Sequence, residues 1–217
     1  MIISIIGFMG AGKSELARWI SERFSAKALD LDSVIEKNEA CSIPDIFTTK
    51  GESHFRDLEA IYLSKIIEQN KSLNPDGEIE IREMDEVSEI DEINEMEEID
   101  EVRGISEKSR IKLCLNSREE LIDYLETNYN LTDLTIISLG GGTLNNLNLI
   151  KLIKENTLCI YLNTSLKTIL ERLKVDNGNR PMLKRESNTS LDERVEELYS
   201  ERVHSYLEAA DIILTNP

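Results

Sequence analysis

The run Ile2-Ile3-Ser4-Ile5-Ile6-Gly7-Phe8-Met9-Gly10-Ala11-Gly12-Lys13-Ser14 constrains this chain more than any other stretch. A short apolar segment leads into a glycine-rich turn that closes on a lysine and a hydroxyl. Gly7, Gly12, Lys13 and Ser14 fit the phosphate-binding pattern G-x-x-x-x-G-K-S/T. Ile2 to Ile6 reads as a buried strand, and Glu15-Leu16-Ala17-Arg18-Trp19-Ile20 opens a helical pattern that runs to about Phe24. Glycine lets the backbone wrap a phosphate chain without side-chain clashes. Free N–H groups at the helix start then point at the phosphates, and the helix dipole favours negative charge there. Lys13 is placed to reach the β- and γ-phosphates, and Ser14 to hold Mg²⁺.

A chain of 217 residues with 40% hydrophobic content can bury the core of one α/β domain. No apolar run approaches the ~20 residues of a membrane helix. The apolar run at the N-terminus is too short, and lacks the basic flank, of a signal peptide. Cys41, Cys114 and Cys159 are odd in number and widely spaced, which fits a reducing cytoplasm and neither a disulfide framework nor a metal site. A formal charge of −17 argues against nucleic acid, whose phosphates call for basic surfaces. Most of that charge is local: Glu78 to Val102 holds thirteen acids and one base, a net of −12.

Lys27 to Asp32 reads as a second strand ending in two acids. On an extended chain Asp30 and Asp32 point the same way. Such a pair suits a metal–phosphate complex beside a hydroxylated substrate, or else Asp32 caps the next helix. Ser42 caps a helix with Pro44 in its first turn. Gly51 breaks it, and Glu52 to Asn70 is helical, with Phe55, Leu58, Tyr62 and Ile66 forming its apolar face. Arg56 lies off that stripe. From Ile81 to Val102 every third residue is apolar and nearly all the others are acidic. A spacing of three drifts round a helix and leaves no single apolar face, so a solvated, mobile insert is expected, or a partner-binding element for a basic surface.

Ser117 caps a helix to Asn128, with Glu120 at the capping-box position. Leu134 to Leu139 is a strand that ends in Gly140-Gly141-Gly142, a run allowing close backbone approach by a ligand, or a tight turn. Helix Leu147 to Glu155, strand Leu158 to Leu162 and helix Ser165 to Leu173 follow. Lys174 to Asn188 is polar and turn-rich, as a mobile lid would be, and Arg180 in it could swing onto a transferred phosphate. Leu191 to Ala209 is amphipathic, and Arg202 returns to within about 20° of its apolar stripe. A charge there needs a partner. That partner is either a carboxylate ligand, which suits arginine, or an internal acid such as Glu59. Ile212 to Leu214 is a last strand. Strands alternating with helices give a parallel β-sheet flanked by helices, an α/β fold.

The pieces Gly7 to Ser14, Leu29-Asp30-Leu31-Asp32, Ser42 to Phe47, Gly51-Glu52-Ser53-His54-Phe55-Arg56-Asp57-Leu58-Glu59, Ser138 to Gly142, Asn179-Arg180-Pro181-Met182-Leu183 and Glu201 to Tyr206 together closely resemble the shikimate kinase family. The resemblance covers about residues 1–70 and 132–217. It implies a phosphate-loop kinase of the nucleoside-monophosphate-kinase type that uses ATP and Mg²⁺ to phosphorylate the 3-hydroxyl of shikimate. The product, 3-phosphoshikimate, lies on the route to chorismate and the aromatic amino acids. Carried over by residue, Gly10, Ala11, Gly12, Lys13, Ser14, Glu15 and Arg180 are the nucleotide-binding candidates. Lys13, Asp32 and Arg180 are the catalytic ones. Asp32, Arg56, Gly141 and Arg202 would bind shikimate, and Ser14 and Asp30 the metal. One domain is expected over 1–217, with an acidic, disordered insertion at 71–116, as a cytoplasmic monomer with no nucleic-acid or membrane partner.

Three departures from the family pattern stand out. Glu15 replaces the usual Ser or Thr, and a carboxylate beside bound phosphates should repel them unless it turns outward. The acidic insert is foreign. The family has a further helix after the last strand, whereas here the sequence stops at Asn216-Pro217, so one face of the sheet is expected to be less covered. Where the family often has an adenine-stacking arginine before the lid, the sequence offers Lys174. A gluconate-type or nucleotide kinase, or a non-catalytic nucleotide binder, is the alternative function.

Overall fold

The alternation read from the sequence becomes a six-stranded, all-parallel sheet in order β2-β4-β1-β5-β6-β3. The computed structural model describes residues 1–71, 112–175 and 190–215. In chain order the elements are β1 (Ile2–Ile6), α1 (Lys13–Phe24), β2 (Lys27–Asp30), α2 (Leu31–Glu39), α3 (Ile43–Thr49), α4 (Gly51–Lys71), β3 (Leu113–Leu115), α5 (Arg118–Asn128), β4 (Thr135–Ser138), α6 (Leu147–Asn156), β5 (Leu158–Asn163), α7 (Leu166–Val175), α8 (Leu191–Ala209) and β6 (Ile212–Thr215). The acidic stretch Glu78 to Val102, the expected lid from Asp176 onward and Arg180 lie outside the described residues, whereas Lys174, expected to open the lid, belongs to α7.

β1 is central, buried at all five positions between β4 and β5, which is why it reads as an unbroken apolar run rather than an alternation. Side chains still alternate between faces. Ile3 and Ile5 of β1, Ile160 and Leu162 of β5, and Ile212 and Leu214 of β6 join one cluster with Leu16, Ala17 and Ile20 of α1. On β5 the intervening Tyr161 faces the other way and stacks on Tyr206 of α8, ring centroids 5.3 Å apart. Helices therefore cover both faces, as parallel sheets require.

Two sequence expectations change here. β3, three residues long, was not anticipated. It pairs in parallel with β6 at the sheet edge and lies inside the stretch 71–116 read as insertion. Thinner cover of one face was expected, yet the sheet face on which α1 packs is well covered. Leu121 and Leu125 of α5 are fully buried in the cluster with α1, β1 and β6, and Tyr124 packs against it. A helix from the middle of the chain thus shields that face. Leu121→Ala is expected to cost about 2–4 kcal/mol, read as a lower midpoint in urea.

Capping sets the helix starts. Ser42 accepts from the Asp45 N–H at 3.3 Å, and Ser117 from the Glu120 N–H at 3.2 Å. The Glu120 carboxylate reaches the Asn116 N–H rather than that of Ser117, so the expected capping box is displaced by one residue. A complete one opens α8 at Ser190 and Glu193. Among the described residues no helix is long and apolar enough to cross a membrane.

Candidate active site

The phosphate loop joins the end of β1 to the start of α1. Gly7, Gly10 and Gly12 have φ of 149°, 76° and 104°, values that residues with a Cβ seldom reach. Lys13 bends back over the loop, and its Nζ donates to the carbonyls of Gly7 at 2.9 Å and Phe8 at 3.0 Å. No side chain caps α1, so its first N–H groups have no side-chain acceptor.

The end of β2 differs from the extended-chain expectation. The strand stops at Asp30, which is itself the N-cap of α2 and accepts from the Ser33 N–H at 3.2 Å. Asp32 lies in the helix's first turn and is not the cap. The chain changes from strand to helix between the two acids, so their period-two relation does not apply. Both carboxylates nonetheless line one cavity of about 450 Å³ with Lys13, Ser14, Gly140 and Gly141. Asp30 uses its second oxygen to accept from Ser14 Oγ at 2.7 Å. Asp32 Oδ1 is buried and has no hydrogen-bond partner. Burial first, then the charges of Glu59 and Asp30, pushes the Asp32 carboxyl up to about 6.

The triple glycine is the hub of this cavity. A Cβ on Gly140 would come within 2.8 Å of Glu59 Oε1 and 3.1 Å of Asp32 Oδ1. One on Gly141 would come within 3.1 Å of the Met9 backbone N, and one on Gly142 within 2.9 Å of Arg56 Cζ. The run also turns, with the Thr143 N–H donating to the Gly140 carbonyl at 3.2 Å. The tight-turn reading holds, and the close approach seen at these glycines is by the protein's own atoms: it brings the end of β4, the phosphate loop and α4 together.

Arg56 is not the solvated side chain that its place off the α4 stripe suggests. Its Nη1 pairs with Glu59 at 2.5 Å and its Nη2 with Glu52 at 2.9 Å. Glu59 is wholly buried. Burial pushes its carboxyl up, opposed by Arg56 and by the Thr143 hydroxyl, which donates to it. Arg202 does fall on the buried stripe of α8. It is not ion-paired to Glu59, whose partner is Arg56. Its Nη1 donates to the Gly141 carbonyl at 3.1 Å, which also accepts from the Tyr206 hydroxyl. Its Nε is buried without a partner. Lys13 and Arg56 both act on Asp32 through charge, and Arg202 acts on Glu59. The predicted residues from α1, α2, α4, β4 and α8 therefore converge around one glycine run.

Arg172 of α7 was missed. Its Nη1 donates to the carbonyls of Gly10 at 3.1 Å and Ala11 at 2.9 Å, and it lines the same cavity. Lys174, the residue considered in its place, pairs instead with Asp192 at 2.8 Å. Only the hand of α7 separates the two, since both are basic and flank Leu173. Glu15 also lines the cavity, but its carboxylate accepts from Arg118 Nη2 at 2.9 Å.

Among the described residues no group of three or more His, Cys, Asp or Glu side chains is arranged to hold a metal ion. Mg²⁺ arriving with a nucleotide typically takes one or two protein oxygens plus phosphates and water. Ser14 and Asp30 are the residues here that could supply such a pair. The Ser14 proton is committed to Asp30, which leaves the hydroxyl lone pairs for a cation.

The family model described as shikimate kinase matches residues 9–74 and 87–217. Among curated relatives, a shikimate kinase of Sulfurihydrogenibium sp. is 28% identical over 204 residues, covering 94% of this chain and 81% of that protein. One from Staphylococcus epidermidis is 28% identical over 208 residues, covering 96% and 82%. A solved shikimate kinase from Acinetobacter baumannii, in complex with shikimate, superposes with a TM-score of 0.64 at 21% identity, covering 100% of this chain and 83% of that one.

Proposed function

The chain belongs to the shikimate kinase family, whose reaction is ATP-dependent phosphorylation of shikimate, and on that premise we propose how this cavity divides the work. The observation that carries the proposal is a pair of buried, unpartnered polar atoms: Asp32 Oδ1, from the cavity that Lys13 also lines, and Nε of Arg202, whose Nη1 bonds the Gly141 carbonyl of the glycine run lining that cavity. A buried polar atom without a partner is costly. A ligand with a hydroxyl at one end and a carboxylate at the other relieves both costs, and shikimate is such a ligand.

The open N–H groups of Gly10 to Ser14 at the start of α1 would cradle the ATP phosphates, with Arg172 beside them. Lys13 would neutralise charge building on the moving phosphoryl group, and Arg180 would join it from the lid. Positioned charge of this kind is most of the catalysis in phosphoryl transfer. Asp32 would accept a hydrogen bond from the shikimate 3-hydroxyl and take its proton as the oxygen attacks. A carboxyl held near 6 is a better base than an ordinary aspartate and is still ionised at neutral pH. Arg56 and Arg202 would clamp the shikimate carboxylate, with Glu59 holding Arg56 in place and Gly141 lying against the ring. Ser14, with Asp30 near the metal's water shell, would hold Mg²⁺, which when bound screens the phosphate charges. The reading includes a monomeric enzyme working in the cytoplasm.

A coupled ADP-release assay with Mg-ATP and shikimate, gluconate or AMP tests it. Release with shikimate alone is expected. Turnover of gluconate or AMP would overturn the substrate assignment, and silence with all three would leave a nucleotide binder.

A further inference from the structure

Glu15 follows the Lys13-Ser14 pair and is the third residue of α1. A carboxylate at that position is the one able to fold back onto the N–H groups that open a helix, where the dipole attracts it. Under the reading above, those N–H groups are the ones that hold phosphate, so Glu15 is a built-in competitor for them. The structure turns it aside onto Arg118 Nη2. The hydrogen bond and charge of Arg118 hold its carboxyl below the usual range. Arg172 and Arg18 act on it by charge alone.

Arg118 is delivered to this spot from the far edge of the sheet. Its guanidinium lies 5.6 Å from the ring centre of Trp19, one turn along α1 from Glu15. Leu121 and Leu125, on the same helix, are buried with Leu16 and Ile20. Asn116 Oδ1, just before α5, accepts from Thr215 Oγ1 of β6 at 3.0 Å. The side chains of Arg118 and Glu15 are 26% and 54% exposed, and an ion pair that open adds little to stability. Its consequence lies in where it puts the negative charge.

We propose that Arg118 is a positioning residue for the nucleotide: by holding the Glu15 carboxylate to the side of α1, it keeps that anion off the N–H groups that receive phosphate. This rests on the nucleotide cradle of the preceding section and assigns a role there to the β3–α5 segment. The unfavourable residue at 15 and the arginine 103 positions later form one compensated pair.

The test is a double-mutant cycle read by calorimetry with Mg-ATP and no shikimate, on wild type, R118M, E15T and the double variant. Methionine keeps an apolar stem over Trp19. R118M is expected to weaken ATP binding about tenfold, the scale of one uncompensated charge near a polyphosphate. E15T should tighten it a few-fold, because the arginine cation stays behind. The double variant should bind at least as well as wild type. In turnover the R118M loss should fall on KM for ATP, leaving KM for shikimate in place. Equal losses from R118M with and without Glu15, or no loss at all, would overturn the inference on a wild type that binds ATP. A wild type that binds no nucleotide would overturn the cradle and the inference together. Should R118M fail to fold, E15T alone decides: tighter binding supports the compensated pair, and weaker binding overturns it.

Discussion

Lys13→Met is expected to lower kcat with shikimate by about 10³-fold or more while the protein stays folded. The lysine has two tasks. In the structure its ammonium closes the phosphate loop on the carbonyls of Gly7 and Phe8. During the reaction it would leave or share those bonds to meet charge developing on the transferred phosphoryl group. A single preorganised donor to such charge is worth about 10²–10³-fold, and an arginine-type cation in phosphoryl transfer about 10³–10⁵-fold. Its two hydrogen bonds to backbone come from a charged ammonium, worth about 1.5–3 kcal/mol each. Thermal unfolding should therefore show a clear drop, and turnover is compared at a temperature where the variant is folded. A variant that kept even a tenth of the wild-type kcat would mean that the phosphate loop is not the site of transfer.

Asp32→Asn is expected to move activity and stability in opposite directions. Asparagine keeps the shape and cannot take a proton, so kcat should fall by about 10²–10⁴-fold, the usual worth of a general base. The acid limb of the wild-type pH–rate profile, expected near 6 where the Asp32 carboxyl protonates, should vanish from what activity remains. Stability follows from the sign of the shift. Burial raises the folded-state value from 3.8 to about 6, so between those values the folded protein binds more protons than the unfolded chain. The charge on Asp32 therefore destabilises the fold progressively as pH rises through that window, and fully above it. The shift is equivalent to about 3 kcal/mol, so D32N should be more stable than wild type at pH 7.5 by up to that amount. At pH 4 the two should be nearly equal. A variant that is less stable at pH 7.5 would show that Asp32 is held by its cationic neighbours rather than strained by burial.

The same physics explains which parts of the site could be read in advance. The phosphate loop is local: a strand, three glycines and Lys13-Ser14 within one turn, with each residue type dictated by what its neighbours along the chain must do. Arg202 was legible because a charge on an apolar stripe is conspicuous. Its partner was not, because the Gly141 carbonyl that accepts from it is brought there only by packing, and Glu59, the acid the sequence offered, pairs with Arg56 instead. Arg56 was misleading by periodicity, since it sits off the α4 stripe yet turns back onto Glu52 and Glu59 beside Gly142. Arg172 was overlooked beside Lys174 because a helix rotates successive side chains by about 100°, and only the docking of α7 decides which of two basic residues meets the phosphate loop.

Local order settled much of this protein. Among the described residues, five of the six strands, the principal helices, the parallel α/β class and the phosphate loop follow from hydrophobic period, glycine and capping residues, because those forces act between residues a few positions apart. What tertiary structure alone decided is pairing over long separations. It placed β3 beside β6, laid α5 with α1 on one face of the sheet, left Asp32 Oδ1 and Arg202 Nε buried without partners, and set Glu15 against Arg118. Such contacts depend on how whole elements pack against one another, and no pattern along the chain records that.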